Sequence, residues 1–495
     1  MNIKKAKEEI ENTLKAYFTK DKFGQYVIPV EKQRPVFLIG PPGIGKTAIM
    51  EQIASKMDIP LVTYSMTHHT RQSALGLPYI TEKDFGEVSY KVSEYTMSEI
   101  IATVYEVIEK TGSKEGILFL DEINCISETL SPIMLQFLQY KVFGKHKVPN
   151  GFVVVTAGNP PEYNNSVREF DIATWDRVKR MDVTPDIGIW KEYAVKSGIH
   201  SAITSYLEIK KDDFYAINTT VDGKHFVTAR GWEDLSQMLF LYETHQLQID
   251  EDLIIQYVQD SKIAKSFANY YKLYIGYKKE YDIEGILKNH IGDDVKKKIE
   301  QATFDERISI ISLLVYEITS AMRETIELLD ICRGAMKELE RFQKEHGEVN
   351  ALYDFINQKK EMMKQKIESG NYTQKKQFLD HSILEVLKDL DTKQNDMEAF
   401  VKESNAFLNR KIEENQAVSN ETSEKLKHAF DFIETFYKEG QELLIFMTEL
   451  TTNVYSAKFL RKFGSEAYFK HNKELLLTDK AEEIAKEVAK IFDTN

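Results

Sequence analysis

Four short runs, PVFLIG (35–40), IPLVTYS (59–65), GILFLDE (116–122) and GFVVVTAGN (151–159), are apolar at nearly every position. That pattern belongs to strands covered on both faces, as in a parallel sheet. Between them, residues 46–57, 98–111 and 131–140 have the length and apolar spacing of helices. Alternating buried strands and helices predict a three-layer α/β domain over residues 1–185. All 11 prolines lie between Pro29 and Pro185, so the strongest helix breaker is absent from everything that follows.

Beyond Pro185 the pattern turns helical. Residues 186–290 read as a smaller helical lid, interrupted by the polar insertion IKKDDFYAINTTVDGKHF (209–226) with a turn signal at Asp222-Gly223. Residues 291–495 read as an α-helical bundle or coiled-coil domain. There Ile383, Leu387, Leu390, Met397, Val401 and Leu408 follow a 3-4 spacing broken by Gln394 and Ser404, as expected of one long helix packing along a seam. An ordinary bundle face explains this seam, and a coiled-coil partner site is the alternative.

Composition narrows the function classes. With 65 Lys and Arg against 78 Asp and Glu, the 495-residue chain has a net charge of −13, the wrong sign for gripping nucleic acid over its whole surface. Residues 291–495 hold 31 basic against 39 acidic side chains. Only Cys125 and Cys332 occur, which argues against a disulfide framework or a thiolate zinc site and fits a reducing cytoplasm. The start, MNIKKAKEEIENTLKAYF, lacks the apolar core of a signal peptide, and no run of 18 apolar residues spans a membrane.

The chemistry concentrates after the first strand. Gly40-Pro41-Pro42-Gly43-Ile44-Gly45-Lys46-Thr47 is a complete G-x-x-x-x-G-K-[ST] loop between a strand and a helix. Glycines let successive N–H groups turn toward one anion, Lys46 reaches the terminal phosphates, and the Thr47 hydroxyl suits Mg²⁺. A nucleoside triphosphate site follows. GILFLDE puts Asp121 and Glu122 at the carboxyl end of a buried strand, where open α/β sheets hold ligands. Asp121 would hold Mg²⁺ through water, and Glu122 would polarise the attacking water. VVVTAGN ends in Asn159, whose amide can donate to a phosphate oxygen and accept from water, although Asn before Pro160 is also a common turn.

In this order, GPPGIGKT, LFLDEIN, VVTAGNPPEYN and ATWDRVKR resemble the AAA+ ATPases, and among them the MoxR-type branch of the dynein-related AAA subfamily. That branch has a third motif close to NP-x-E-Y, matched by Asn159-Pro160-Pro161-Glu162-Tyr163. Its following LDRF is replaced here by Trp175-Asp176-Arg177-Val178. The resemblance covers roughly residues 30–240. It implies that Lys46 and Thr47 are the Walker A contacts, Asp121 and Glu122 the Walker B pair, and Asn159 the first sensor. Arg177, before a last core strand RMDVTP, then stands where the family has its arginine finger, with Arg180 and Arg168 as alternatives. Arg230, in FVTARGWED, resembles the second sensor, although the family more often has proline where Ala229 stands.

The resemblance further implies an ATP-hydrolysing remodeller or chaperone using ATP and Mg²⁺. It would work in the cytoplasm as a homo-oligomer, a hexameric ring, on a protein client or with a von Willebrand factor A-domain partner. The adjacent His68 and His69 lack a third metal ligand and fit a loop facing the ring's pore. Residues 76–90 alternate around Asp84-Phe85-Gly86 as a hairpin would, with Tyr79, Phe85 and Tyr90 either exposed near that pore or packed inside. The competing class is a nucleic-acid-associated or restriction-type NTPase motor, which the charge disfavours. A guanine motif N-K-x-D is missing, since Asn472-Lys473 runs into Glu-Leu, so ATP against GTP stays open. Glu122 together with Asn159 argues against a scaffold that binds nucleotide without turnover.

Overall fold

The computed structural model describes residues 1–163, 167, 170–220, 223–368, 372, 374–390, 392, 396–438 and 440–473. They divide into two compact units. One comprises Met1–Ile189, Thr228–Arg230 and Asp354–Phe378; the other comprises Trp190–Val227, Gly231–Tyr353 and the chain from Leu379.

The first unit is built on five strands, β1 (Val36–Ile39), β2 (Leu61–Ser65), β3 (Gly116–Asp121), β4 (Phe152–Gly158) and β5 (Lys179–Asp182). They lie side by side in the order β2-β3-β4-β1-β5, and every pairing is parallel. The three inner strands are buried at nearly every residue, which is why they read as almost continuous apolar runs, while the edge strands are partly exposed. Phe37, Ile39, Val62, Leu118, Leu120 and Val154 share one core with Ile101 and Val104 of the helix Glu99–Thr111 and Phe137 of the helix Ser131–Tyr140. Val36, Leu38, Ile117, Phe119, Val153 and Val155 alternate to the opposite face and are equally buried. The helix Lys46–Met57 starts at left-handed Gly45 and stops at left-handed Asp58, so its ends are set by the loop before it and the turn after it. Ser98 caps Glu99–Thr111 by accepting from the Ile101 N–H.

Two antiparallel ribbons project from this α/β frame. Pro78–Phe85 pairs with Val88–Tyr95, with Tyr79 opposite Glu94, Lys83 opposite Tyr90 and Phe85 opposite Val88. Cross-strand partners share a face, so Tyr79, Phe85, Val88 and Tyr90 lie together on one side. They are exposed, Phe85 by 62%, and the Phe85 and Tyr90 rings meet at 6.0 Å. The smaller ribbon, Val142–Phe143 with His146–Lys147, is pinned to the base of the larger one by the ion pair of Lys145 with Glu94. Glu94 also takes Lys83 and the Tyr79 hydroxyl; the hydrogen bonds from Lys145 and Lys83 hold its carboxyl down at about 2.

The second unit is largely helical. Its frame is a 42-residue helix, Phe304–Glu345, packed along a 40-residue helix, Met397–Phe436. Thr303 and Glu306 form a capping box at the start of the first, and the buried Asn415 amide donates to the Thr325 carbonyl between them at 2.9 Å. The insertion at 209–226 is a short ribbon, Ala216–Thr220 with Gly223–Val227; its turn residue Asp222 lies outside the described residues. The expected single helix through the 383–408 seam is corrected by the structure. Ile383 and Leu387 lie on the helix Gln374–Lys388, whereas Met397, Val401 and Leu408 lie on Met397–Phe436, and Asp396 caps a fresh start between them. Gln394 lies outside the described residues. No helix among the described residues is long and apolar enough to cross a membrane.

Candidate functional site

The loop Gly40–Thr47 links β1 to the helix Lys46–Met57 at the carboxyl edge of the sheet. Gly43 and Gly45 are left-handed, with φ +73° and +91°, a conformation that side chains resist. A Cβ on Gly43 would lie 2.8 Å from that of Thr228, and one on Gly40 would meet the Val183 carbonyl oxygen at 2.6 Å. Ile44 is buried beneath the loop. Lys46 is buried too, and its ammonium donates to the carbonyls of Gly40 and Pro41 at 2.8 Å each and to Asn159 Oδ1 at 2.9 Å. Burial pulls its pKa down to about 8, against the opposing pull of Asp121 and Glu122, and Arg230 lowers it further.

Three strand ends meet here. The Thr47 hydroxyl donates to Asp121 Oδ2 at 2.8 Å, and Asp121 Oδ1 accepts the Glu122 N–H at 2.9 Å. Glu122 itself is left-handed, with φ +56°, uncommon for a side chain of its size. The turn is held to β4 by the Ile123 N–H donating to the Ala157 carbonyl at 3.0 Å. Register explains the convergence, since Ser65 of β2 pairs with Asp121 of β3, and Gly158 of β4 pairs with Ile39 of β1. Two hydrogen bonds, from Lys46 to Asn159 and from Thr47 to Asp121, thus tie the loop to two strand ends, with Glu122 as the next residue along.

Sequence reasoning overlooked three residues. Ser65 Oγ and Thr67 Oγ1 both donate to Glu122 Oε2, at 2.8 and 3.2 Å, so the tip of β2 and the residues after it grip the Glu122 carboxylate. His69 sits edge-on to Tyr64 at 5.2 Å. Asn124 donates through Nδ2 to the Asn159 carbonyl at 2.7 Å. The available signal was position alone: hydroxyls at the tip of β2 and an amide three residues after Asp121.

The arginines are placed differently from one another. Arg177 is exposed in the turn before β5 and makes no ion pair among the described residues. Arg180 is engaged, with its guanidinium on both Asp182 oxygens and 4.6 Å from the Trp175 ring. Arg168 lies outside the described residues. Arg230 is the second residue of the helix Ala229–Thr244, exposed yet near enough for its charge to act on Lys46.

Hydroxyl and carboxylate oxygens 2.8 Å apart, beside a loop without Cβ atoms at its two left-handed positions, fit a hard divalent cation bound with triphosphate. Residues 35–178 match the family described as AAA domain, dynein-related subfamily. No curated protein matches the chain. Two solved structures resemble it distantly, both substituted forms of Thermotoga maritima RuvB. One has a proline replaced by glycine and is 16% identical over 52% of this chain and 71% of its own, with a TM-score of 0.27. The other, with a lysine replaced by arginine, is 14% identical over 58% and 76%, with a TM-score of 0.29. The matched segment holds the phosphate loop, Asp121, Glu122 and Asn159 on one parallel sheet: residues 35–178 are an AAA domain of the dynein-related subfamily, and the protein is an ATPase.

Proposed function

We propose that this ATPase is a MoxR-type remodeller. It would work in the cytoplasm as a homo-oligomeric, hexameric ring on a protein client, or with a partner bearing a von Willebrand factor A domain. The observation that carries the reading is the set of Lys46 bonded to Asn159 and Thr47 bonded to Asp121 beside Glu122, with an exposed Arg177 that makes no ion pair among the described residues. An exposed cation with no ion pair among the described residues suits a neighbour's active site better than its own.

In this reading the N–H groups of Gly43 to Thr47 and the Lys46 ammonium take the phosphates. Thr47 and Asp121 would hold Mg²⁺, which when bound neutralises phosphate charge and fixes the terminal phosphate in line. Glu122 orients the attacking water, and the Asn159 amide fixes that water against the phosphate. Arg177 of one subunit neutralises charge in the next, an effect worth ~10³–10⁵ in rate for such fingers. Residues 1–185 form the core, 186–290 the lid with Arg230 reporting nucleotide, and 291–495 the acidic helical part that meets the client. The exposed Tyr79, Phe85 and Tyr90 suit an apolar grip on a polypeptide.

Mixing two inactive proteins tests the shared site. Arg177→Ala subunits keep Glu122, and Glu122→Gln subunits keep Arg177, so mixed rings contain some complete sites and regain turnover. Absence of rescue at every ratio contradicts action between subunits.

A further inference from the structure

Asn124 occupies an unusual position for a polar side chain. It is 6% exposed, and its Oδ1 has no hydrogen-bond partner among the described residues. A buried amide with an idle acceptor weakens a fold relative to an apolar residue of similar shape, so packing does not explain it. Its Nδ2 makes one short bond, 2.7 Å, to the main-chain carbonyl of Asn159. Asn159 in turn presents its Oδ1 to the Lys46 ammonium at 2.9 Å. Asn124 therefore ties the turn that carries Glu122 to the strand end that carries Asn159.

Gly158 makes the arrangement possible. It is buried, and a Cβ there would fall 2.7 Å from Asn124 Cγ and closer still to Oδ1. The space beside β4 that a side chain would fill is occupied by the Asn124 amide. Two residues thus serve one bond, Asn124 supplying the donor and Gly158 the room for it.

The geometry points to Asn124 as a positioning residue for hydrolysis: it fixes the main chain of Asn159, so that the Asn159 amide is aimed at the terminal phosphate at the same time as Glu122. This rests on the reading of Asn159 given above. Asn124 acts only through Asn159, so its loss matters only while the Asn159 side chain is present. Misplacement of a reacting group by about an ångström costs up to about a hundredfold in rate, and a loosened main-chain anchor lies toward the lower end, about tenfold. Nucleotide binding depends on the loop and Lys46 and changes much less.

The test compares Asn124→Ala, Asn159→Ala, Gly158→Ala and the doubles Asn124→Ala/Asn159→Ala and Asn124→Ala/Gly158→Ala. Steady-state kcat and fluorescent-ATP affinity are measured on each, with thermal unfolding to confirm folding. Asn124→Ala is expected to lower kcat about tenfold with affinity within about threefold of native, and to add nothing in the Asn159→Ala background. Gly158→Ala, which displaces the amide, is expected to match Asn124→Ala, and to cost less than about twofold once the Asn124 side chain is gone. Native kcat in Asn124→Ala, or multiplying effects of Asn124→Ala and Asn159→Ala, overturns the inference. Native kcat in Asn159→Ala instead overturns the sensor reading beneath it. Should Gly158→Ala fail to fold, the cycle of Asn124 with Asn159 still decides the matter.

Discussion

Raising the pH should loosen nucleotide binding in a way that identifies Lys46. Burial brings its ammonium from 10.5 to about 8, with Asp121 and Glu122 opposing and Arg230 assisting. The folded state therefore holds fewer protons than the unfolded chain between pH 8 and 10.5, so Lys46 contributes stability that rises with pH across that window. Binding runs the other way, because triphosphate needs the charged amine. If only the protonated form binds, the apparent dissociation constant grows as 1 + 10^(pH − 8), about 1.1-fold at pH 7, twofold at pH 8 and elevenfold at pH 9. Equilibrium titration with a fluorescent ATP analogue from pH 6.5 to 9.5 reads this directly. Saturating ATP should flatten the limb in kcat, since bound phosphates restore the proton, while kcat/KM keeps it. Arg230→Ala should move the limb to higher pH. Affinity that stays constant to pH 9.5 refutes the assignment of Lys46 as a buried amine that must be charged to bind.

Two further changes probe the loop and the hold on Glu122. Gly43→Ala forces a Cβ into a left-handed position 2.8 Å from Thr228 Cβ; it should cost about 1–3 kcal/mol in thermal unfolding and weaken nucleotide binding at least about tenfold. Ser65→Ala with Thr67→Val removes both hydroxyls from Glu122 Oε2 and frees the carboxylate to meet water; basal phosphate release should rise about fivefold, and a fall would contradict the reading.

Much of the α/β unit was legible because its signals are local. The helix Lys46–Met57 begins where the glycine loop ends, and β3 and β4 are apolar at nearly every position because both faces are covered. The loop lysine, Asp121, Glu122 and Asn159 were picked out by residue type and order along the chain, and the fold sets them at one edge of the sheet. What the chain did not disclose is pairwise. Serine and threonine at a strand tip look like any turn, and only the pairing of Ser65 with Asp121 brings them to Glu122. Asn124 reads as a polar turn residue until β4 is laid beside it. The seam at 383–408 misled because the 3-4 spacing carries across Leu390 and Met397, although the backbone restarts at the Asp396 cap. The ribbon Pro78–Tyr95 gave an ambiguous signal for a related reason: its aromatic face is exposed, so alternation alone does not distinguish it from a buried edge.

The most direct measurement is ATP binding and turnover by the Glu122→Gln protein. The carboxylate stands at the tip of β3 beside Asp121, where the proposed reading has it orient water and leave the grip on phosphate to the loop and Lys46. Binding should therefore remain at the native level while phosphate release falls at least about a hundredfold. Turnover within twofold of the native protein would contradict the central claim that this site hydrolyses ATP through Glu122.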